Sequence, residues 1–194
     1  MGGRVKISVV VPIYGVERFI GKFAESLLGQ SYDNVEFIFV NDGTKDGSMY
    51  VLRTLIDERF SHLRDRIIII DKENEGCPVA RRTGLAHATG EYVMHADPDD
   101  WYEPDAIETI ATVAEETQAD IICFDYFRGK RIKNERAYAA GDKYTFIRDI
   151  YNHRASGTVW NKCMKRRISS AMSASTAACR SSSRIIYIRR CKMQ

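Results

Sequence analysis

Asp97-Pro98-Asp99-Asp100 puts three carboxylates into four residues, directly before Trp101-Tyr102-Glu103-Pro104. Charges so close repel one another unless a cation or hydrogen-bond donors compensate them, and a row of hard oxygen ligands suits Mg or Mn holding a diphosphate. The plain alternative is a solvated turn whose Asp side chains cap the next helix. An EF-hand loop does not fit, because Trp101 and Tyr102 stand where that loop needs a ligand and a glycine. Asp42, in the turn-forming series Asn41-Asp42-Gly43-Thr44-Lys45-Asp46-Gly47, is a further carboxylate able to accept from a base or ribose, or simply a turn former. Tyr14, after Pro12-Ile13, offers a ring that could stack on a flat base or pack ordinarily. Ala80-Arg81-Arg82-Thr83-Gly84, after Asn74-Glu75-Gly76, holds guanidinium groups able to grip a diphosphate bidentately, or forms a solvated helix face.

Whether these residues can act together depends on the elements that carry them. Ile7-Ser8-Val9-Val10-Val11 is a short β-branched run ended by Pro12, which cannot donate to a ladder, so a buried strand is expected to finish there. Ile20, Phe23, Ala24, Leu27 and Leu28 recur at helical spacing; Val35 to Val40 is a second strand; Val51, Leu52, Leu55 and Ile56 mark a second helix. The alternation continues with a strand over Ile67 to Ile70, a helix from Pro78 through Ala88, a strand over Tyr92 to His95, a helix opened by Pro104 with Ile107, Ile110, Ala111 and Ala114 on one face, and a strand over Ile121 to Phe124. Strands alternating with helices predict an α/β fold with a mostly parallel central sheet flanked by helices, whose ligands sit at the carboxyl ends of the strands. All four chemical features follow successive strands, so they are expected along one edge of one sheet.

Beyond Asp125 the pattern weakens. Arg128 to Arg136 reads as a solvated hairpin or loop, Tyr144 to Tyr151 as one short helix, and Thr158 to Met164 as a last strand. Ser169 to Ser183 is nearly all Ser, Ala and Thr and should be loose, because it cannot bury enough apolar surface to offset its ordering entropy. The expected division is therefore residues 1–125 as a ligand-binding half, 126–167 as the start of a second region, and 168–194 as a disordered or out-of-frame tail.

With 194 residues, 44% hydrophobic and 28% charged, the chain has the composition of one globular domain. No apolar run approaches the roughly 20 residues of a membrane span and Met1 to Lys6 is not a secretory leader, so a cytoplasmic protein is expected. Cys77, Cys123, Cys163, Cys179 and Cys191 form no C-x-x-C pair, which points to reduced thiols rather than a disulfide framework or zinc site. Residues 161–194 carry nine of the 29 Lys and Arg and none of the 26 Asp and Glu, leaving a balance of −6 on residues 1–160. Nucleic acid is therefore not an expected partner, since the body offers no basic face to neutralise phosphates. G-x-G-x-x-G, G-x-x-x-x-G-K-[ST] and G-x-S-x-G are all absent, which removes dinucleotide oxidoreductases, P-loop NTPases and nucleophile-elbow hydrolases. His62, His87, His95 and His153 show no metal-ligand spacing and receive no role.

Taken together, Ile7 to Tyr14, Glu36 to Gly43, Asn74-Glu75-Gly76, Ala88-Thr89-Gly90-Glu91-Tyr92, Asp97 to Tyr102, and Trp160-Asn161-Lys162 followed by Arg166-Arg167 resemble the family-2 inverting glycosyltransferases in order and spacing, over roughly residues 5–167. The resemblance implies a GT-A fold, a nucleoside-diphosphate sugar donor, commonly a UDP-sugar, and a divalent metal, Mn or Mg. It implies that Asp42 contacts the base, Pro12 and Tyr14 line its pocket, Asp97 reaches the ribose side and Asp99 ligates the metal, with Asp100 assisting; Arg81 is counted with the nucleotide-binding residues on its own guanidinium chemistry. The partners implied are the donor and a sugar or lipid-linked acceptor. The work implied is polysaccharide or glycoconjugate synthesis in the cytoplasm, at the inner face of a membrane with peripheral association.

The sequence also departs from that family. Arg82 stands where Asn is common, and Gly15 where Asn commonly follows the first strand. The family's base lies in a Glu-Asp pair after the Trp-Asn-Lys segment, and no acidic residue follows Arg154, so the catalytic residue is unknown. A reading frame shifted near Ile168 accounts for the acid-free, Ser- and Arg-rich tail. Two further readings stand beside transfer: a nucleotide-sugar-binding module without turnover, and a nucleotidyltransferase, for which Gly15-Val16-Glu17-Arg18 lacks the Gly-rich, Lys-bearing signature.

Overall fold

The computed structural model describes residues 4–128, 131–133, 158–174 and 185–193. Strand β1 (Ile7–Ile13) lies between β2 (Val35–Asp42) and β4 (Tyr92–His95), with β3 (Ile67–Lys72) outside β2, and these four run parallel. β7 (Lys162–Lys165) pairs antiparallel with both β4 and β5 (Ile121–Arg128), separating them. β5 also carries β6 (Arg131–Lys133) antiparallel and β8 (Ile185–Met193) parallel. The expected α/β architecture holds, with a sheet that is parallel in its first half and mixed beyond β4.

Helices α1 (Glu17–Leu28), α2 (Ser48–Arg59), α3 (Cys77–His87) and α4 (Ala106–Thr117) follow β1 to β4 in turn, and α5 (Arg166–Ala174) follows β7. Every residue of β1 is buried, because helices cover both faces of the sheet. Val9, Val11 and Ile13 pack with Phe23, Leu27, Leu52, Ile107 and Ile110 in the core under α1, α2 and α4, whereas Val10, Ile38, Val40 and Val93 meet Ala80 and Leu85 of α3. Period-2 alternation of contacts along a strand whose every position is apolar or small is the signature of a two-sided core. Gly84 lets α3 ride close to the sheet: a Cβ there would lie 2.4 Å from Val10 Cγ1 and 3.1 Å from Val40 Cγ2.

Several boundaries differ from expectation for physical reasons. β1 continues through Pro12 to Ile13. The Val10 carbonyl accepts from Ala96 on the β4 side, so by strand alternation Pro12 also turns its nitrogen toward β4, beyond the last paired residue, His95, and no ladder bond is lost. The last strand begins at Lys162 rather than Thr158, because Thr158 to Asn161 form a turn in which Lys162 N–H reaches Val159 carbonyl and Thr158 Oγ1 donates to Asn161 Oδ1. β5 runs on to Arg128 and, with β6, makes a hairpin of the start of the charged run. Tyr144 to Tyr151 lies outside the described residues. Of the stretch Ser169 to Ser183, expected to be loose, residues 169–174 belong to α5, with Ile168 and Ser169 buried, and 175–183 lie outside the described residues; β8 follows over Ile185–Met193.

Candidate functional site

The carboxyl ends of β1, β2 and β4 open on a cleft of about 290 Å³. Pro12, Tyr14, Asp42, Arg81, Asp97 and Asp99, the six residues singled out in the sequence, all line it. Ile13, Val16, Gly76, Cys77 and Pro98 line it as well; Ile13, Gly76 and Pro98 lie within the motifs already singled out, whereas Val16 and Cys77 were given no place at the site. Tyr14 is 55% exposed, so much of its surface is within reach of a ligand.

Asp42 ends β2 in a buried position. Its Oδ1 accepts from Lys72 Nζ at 2.9 Å and the Glu75 N–H at 3.0 Å, and its Oδ2 accepts from the Gly76 N–H at 2.8 Å. Burial raises its pKa, but the Lys72 ammonium and the two backbone donors outweigh burial and hold it below the usual carboxylate range. Asp42 thereby ties the Asn74-Glu75-Gly76 turn to the sheet while lining the cleft. Gly43 permits this approach, at φ 69° and with its Cβ position 2.8 Å from Asn74 N. Lys72 went unnoticed in the sequence, where it ends an ordinary strand.

The loop after β1 is braced to the loop after β2 through three consecutive backbone donors. Gly15 N–H donates to Thr44 Oγ1 at 2.8 Å, Val16 N–H to Ser48 Oγ at 3.1 Å, and Glu17 N–H to Asp46 Oδ2 at 3.0 Å. Both hydroxyls donate in turn to Asp46 Oδ1, at 2.7 and 2.6 Å. The amino end of α1, where dinucleotide folds seat a phosphate, is thus already filled by the chain's own carboxylate. A diphosphate in this cleft must find its positive charge elsewhere.

The acidic turn after β4 offers a place for it. Asp97 is paired with Arg81 of α3. Asp99 is exposed, and neither it nor half-buried Asp100 has a side-chain hydrogen bond or ion pair. Burial, then the charges of Asp99 and Asp97, push Asp100 up to about 6. Capping does not explain these residues, because α4 starts at Ala106 behind Asp105 and has no side-chain cap. Among the described residues no three His, Cys, Asp or Glu side chains converge on a point. One or two carboxylates therefore offer oxygen ligands, with the remaining coordination left for a ligand's oxygens and water. That incomplete, all-oxygen set fits a hard divalent cation shared with a diphosphate.

His95, the last residue of β4, is 6% exposed. Its Nδ1 has no partner and its Nε2 lies 3.4 Å from Ser169 Oγ. Burial and then the Arg81 charge push its pKa down to about 4, so the ring is neutral at pH 7. In the Trp160-Asn161-Lys162 segment, Lys162 is buried and donates to Thr158 carbonyl at 2.6 Å and Asn161 Oδ1 at 2.8 Å, so it braces its own turn and does not enter the cleft. Among the described residues no helix is long and apolar enough to cross a membrane.

The profile of glycosyl transferase family 2 matches residues 8–173, well over half of the chain. The chain is 41% identical over 122 residues to glycosyltransferase GlyA of Streptococcus pneumoniae, covering 63% of this chain and 17% of GlyA. In fold it is similar to TarS 1-349 of S. aureus in complex with UDP-GlcNAc, at TM-score 0.68 and 16% identity, over 96% of this chain and 58% of that one. It is similar also to mannosyltransferase PcManGT of Pyrobaculum calidifontis in complex with GDP-Man and Mn2+, at TM-score 0.67 and 16% identity, over 98% of this chain and 57% of the other. The chain therefore spans less than two thirds of each of these three proteins.

Proposed function

This chain belongs to glycosyl transferase family 2, and on that premise we propose that its cleft binds a nucleoside-diphosphate sugar, with UDP as the nucleotide, for transfer with inversion to an acceptor hydroxyl. The observation that carries the reading is the meeting, in one cleft, of an exposed tyrosine, an oriented carboxylate and the acidic turn's Asp97 and Asp99, the latter without a side-chain partner among the described residues. Tyr14 and Pro12 flank the base, Asp42 accepts from it, Asp97 takes the ribose side, and Arg81 turns toward the diphosphate. Asp99 holds the metal, Mn or Mg, with Asp100 beside it. When bound, the cation neutralises charge on the departing diphosphate. A UDP-linked and a GDP-linked sugar in the two similar folds, one with Mn2+, support a nucleotide sugar and a divalent ion as the ligand class.

Inversion follows from a single displacement at the anomeric carbon, in which a carboxylate takes the acceptor's proton as the hydroxyl attacks and the diphosphate leaves from the opposite face. The residues of this cleft are all committed to the donor. Membership in a family of transferases favours turnover over the binding-only module and over nucleotidyl transfer. The acceptor is a sugar or lipid-linked sugar, in polysaccharide or glycoconjugate synthesis at the cytoplasmic face of a membrane.

Calorimetric titration of the chain with UDP tests the donor site. In Mn-containing buffer binding is expected; in chelator, and in Asp99→Ala with Mn present, affinity should fall by more than about ten-fold, the effect of losing one charge-assisted ligand. Equal affinity in all three conditions would reduce the acidic turn to a solvated loop.

A further inference from the structure

Behind the nucleotide cleft lies a second cavity, of about 350 Å³, and Arg81 lines both. Its apolar wall comes from Pro78 and Leu85 of α3 and Met164 of β7. Its polar wall is Arg81, Arg82, His95 and Ser169, and among the described residues no Asp or Glu lines it. Arg82 is exposed, lines the cavity and, among the described residues, has no hydrogen bond or ion pair. Arg81 Nε and His95 Nδ1 are both buried without a partner. A buried donor left unpaired is costly, and the Arg81 Nε–H, with the unpartnered His95 Nδ1 near it and the Arg82 guanidinium beside them, leaves a cavity whose unmet demand is for an acceptor bearing negative charge. The volume is that of a small-ligand pocket and exceeds what a single inorganic ion fills. Its apolar wall suits the C–H face of a sugar ring, while its guanidinium groups match the planar fork of a carboxylate.

We propose that this second cavity receives a carboxylate-bearing sugar, a hexuronate, seated beside the nucleotide with its acid group on Arg82 and Arg81. The proposal rests on the nucleotide reading of the neighbouring cleft and adds to it the charge of the sugar. The hexuronate is either the donor's own sugar or the acceptor's, and two titrations separate these sources. In Mn-containing buffer the chain is titrated with UDP-glucuronate and with UDP-glucose; the chain saturated with UDP is then titrated with methyl glucuronide and with methyl glucoside.

In one of the two arms the acid is expected to bind roughly ten-fold or more tighter than its neutral analogue, the size of one charge-assisted hydrogen bond. Arg82→Ala should cancel that preference while leaving the affinity for UDP alone unchanged, since Arg82 does not line the nucleotide cleft. Equal binding of acid and neutral sugar in both arms overturns the proposal, as does a preference that survives Arg82→Ala. If UDP itself fails to bind, the nucleotide reading has failed. Methyl glucuronide titrated without nucleotide then decides the cavity by itself, with binding lost in Arg82→Ala as the supporting result and no binding as the opposing one.

Discussion

The parallel strands end in carboxylates at both edges, and the two edges treat them in opposite ways. At the amino edge, buried Glu36 accepts from Ser8 Oγ at 2.5 Å, from Thr89 N–H and Oγ1 at 2.7 Å each, and from Gly90 N–H at 3.2 Å, and it pairs with Lys6 at 2.6 Å. Burial raises its pKa, yet these donors outweigh burial and hold it at about 2. At the carboxyl edge Asp100 has no donor at all, and burial with two like charges pushes it up to about 6. Burial alone does not separate the two cases; the supply of internal donors does. A carboxylate ringed by its own chain is a fastener, whereas one left against like charges keeps its bonding capacity for a visitor.

The sharpest way to break this contrast is to remove the fastener. Glu36→Gln should lower the unfolding free energy in urea by about 3 kcal/mol, because Lys6 and several N–H and O–H groups lose a charged acceptor. The UDP affinity of the molecules that remain folded should be unchanged. The sign with pH follows from the lowered pKa: Glu36 stabilises fully above its ordinary value of 4.5, and that contribution is lost as pH falls toward about 2. A variant as stable as the parent would mean that water serves these donors equally well.

Asp46 sits between the extremes, at the carboxyl edge but fully bonded. Its removal in Asp46→Ala should cost about 2 kcal/mol, roughly one for each of the two helix starts that lose an acceptor. It should also weaken UDP binding, since the brace behind Tyr14 is gone. Lost stability with unaltered affinity, measured by unfolding and calorimetry side by side, would show that the brace does not shape the cleft.

The smallest effect carries the opposite sign. Asp100→Asn should gain about 1 kcal/mol at pH 7, a value discounted for the partial exposure of the site. Between its ordinary value of 3.8 and about 6 the folded state holds the proton that the unfolded chain releases, so stability falls as pH rises through that window. The Asn variant should lose that slope in thermal unfolding measured from pH 4 to 7. A slope that persists would place the strain elsewhere in the acidic turn.

Much of the fold of residues 4–125 was legible because its signals are local. Apolar runs fix β1 to β4 and helical spacing fixes α1 and α4; Ile20, Phe23, Leu27, Ile107 and Ile110 are buried as their periodicity requires. That six residues would line one cleft was legible because Pro12, Tyr14, Asp42, Asp97 and Asp99 stand at or just after the carboxyl ends of parallel strands, which deliver such positions to one edge, and Arg81 stands on the helix that follows β3. What the sequence hid is non-local. Nothing near Lys162 says that β7 enters between β4 and β5, and nothing near Lys72 says that it holds Asp42. The Arg81–Asp97 pair and the unpartnered His95 nitrogen arise only where α3, β4 and α5 meet. Composition over Ser169 to Ser183 gave no sign of α5, because a stretch of Ser and Ala lacks the apolar periodicity by which a helix is read.

The place of β7 also sets an order of events during synthesis. β4 meets its second neighbour only through residues 162–165, about 70 positions further along the chain, so the four parallel strands can assemble while that flank still lacks its partner. Until then the open side of β4 is a template for any passing strand, and β5, though made earlier than β7, has no place beside it. The half of the molecule that carries the acidic turn can therefore form first, and closure of the sheet waits on the arrival of a four-residue strand.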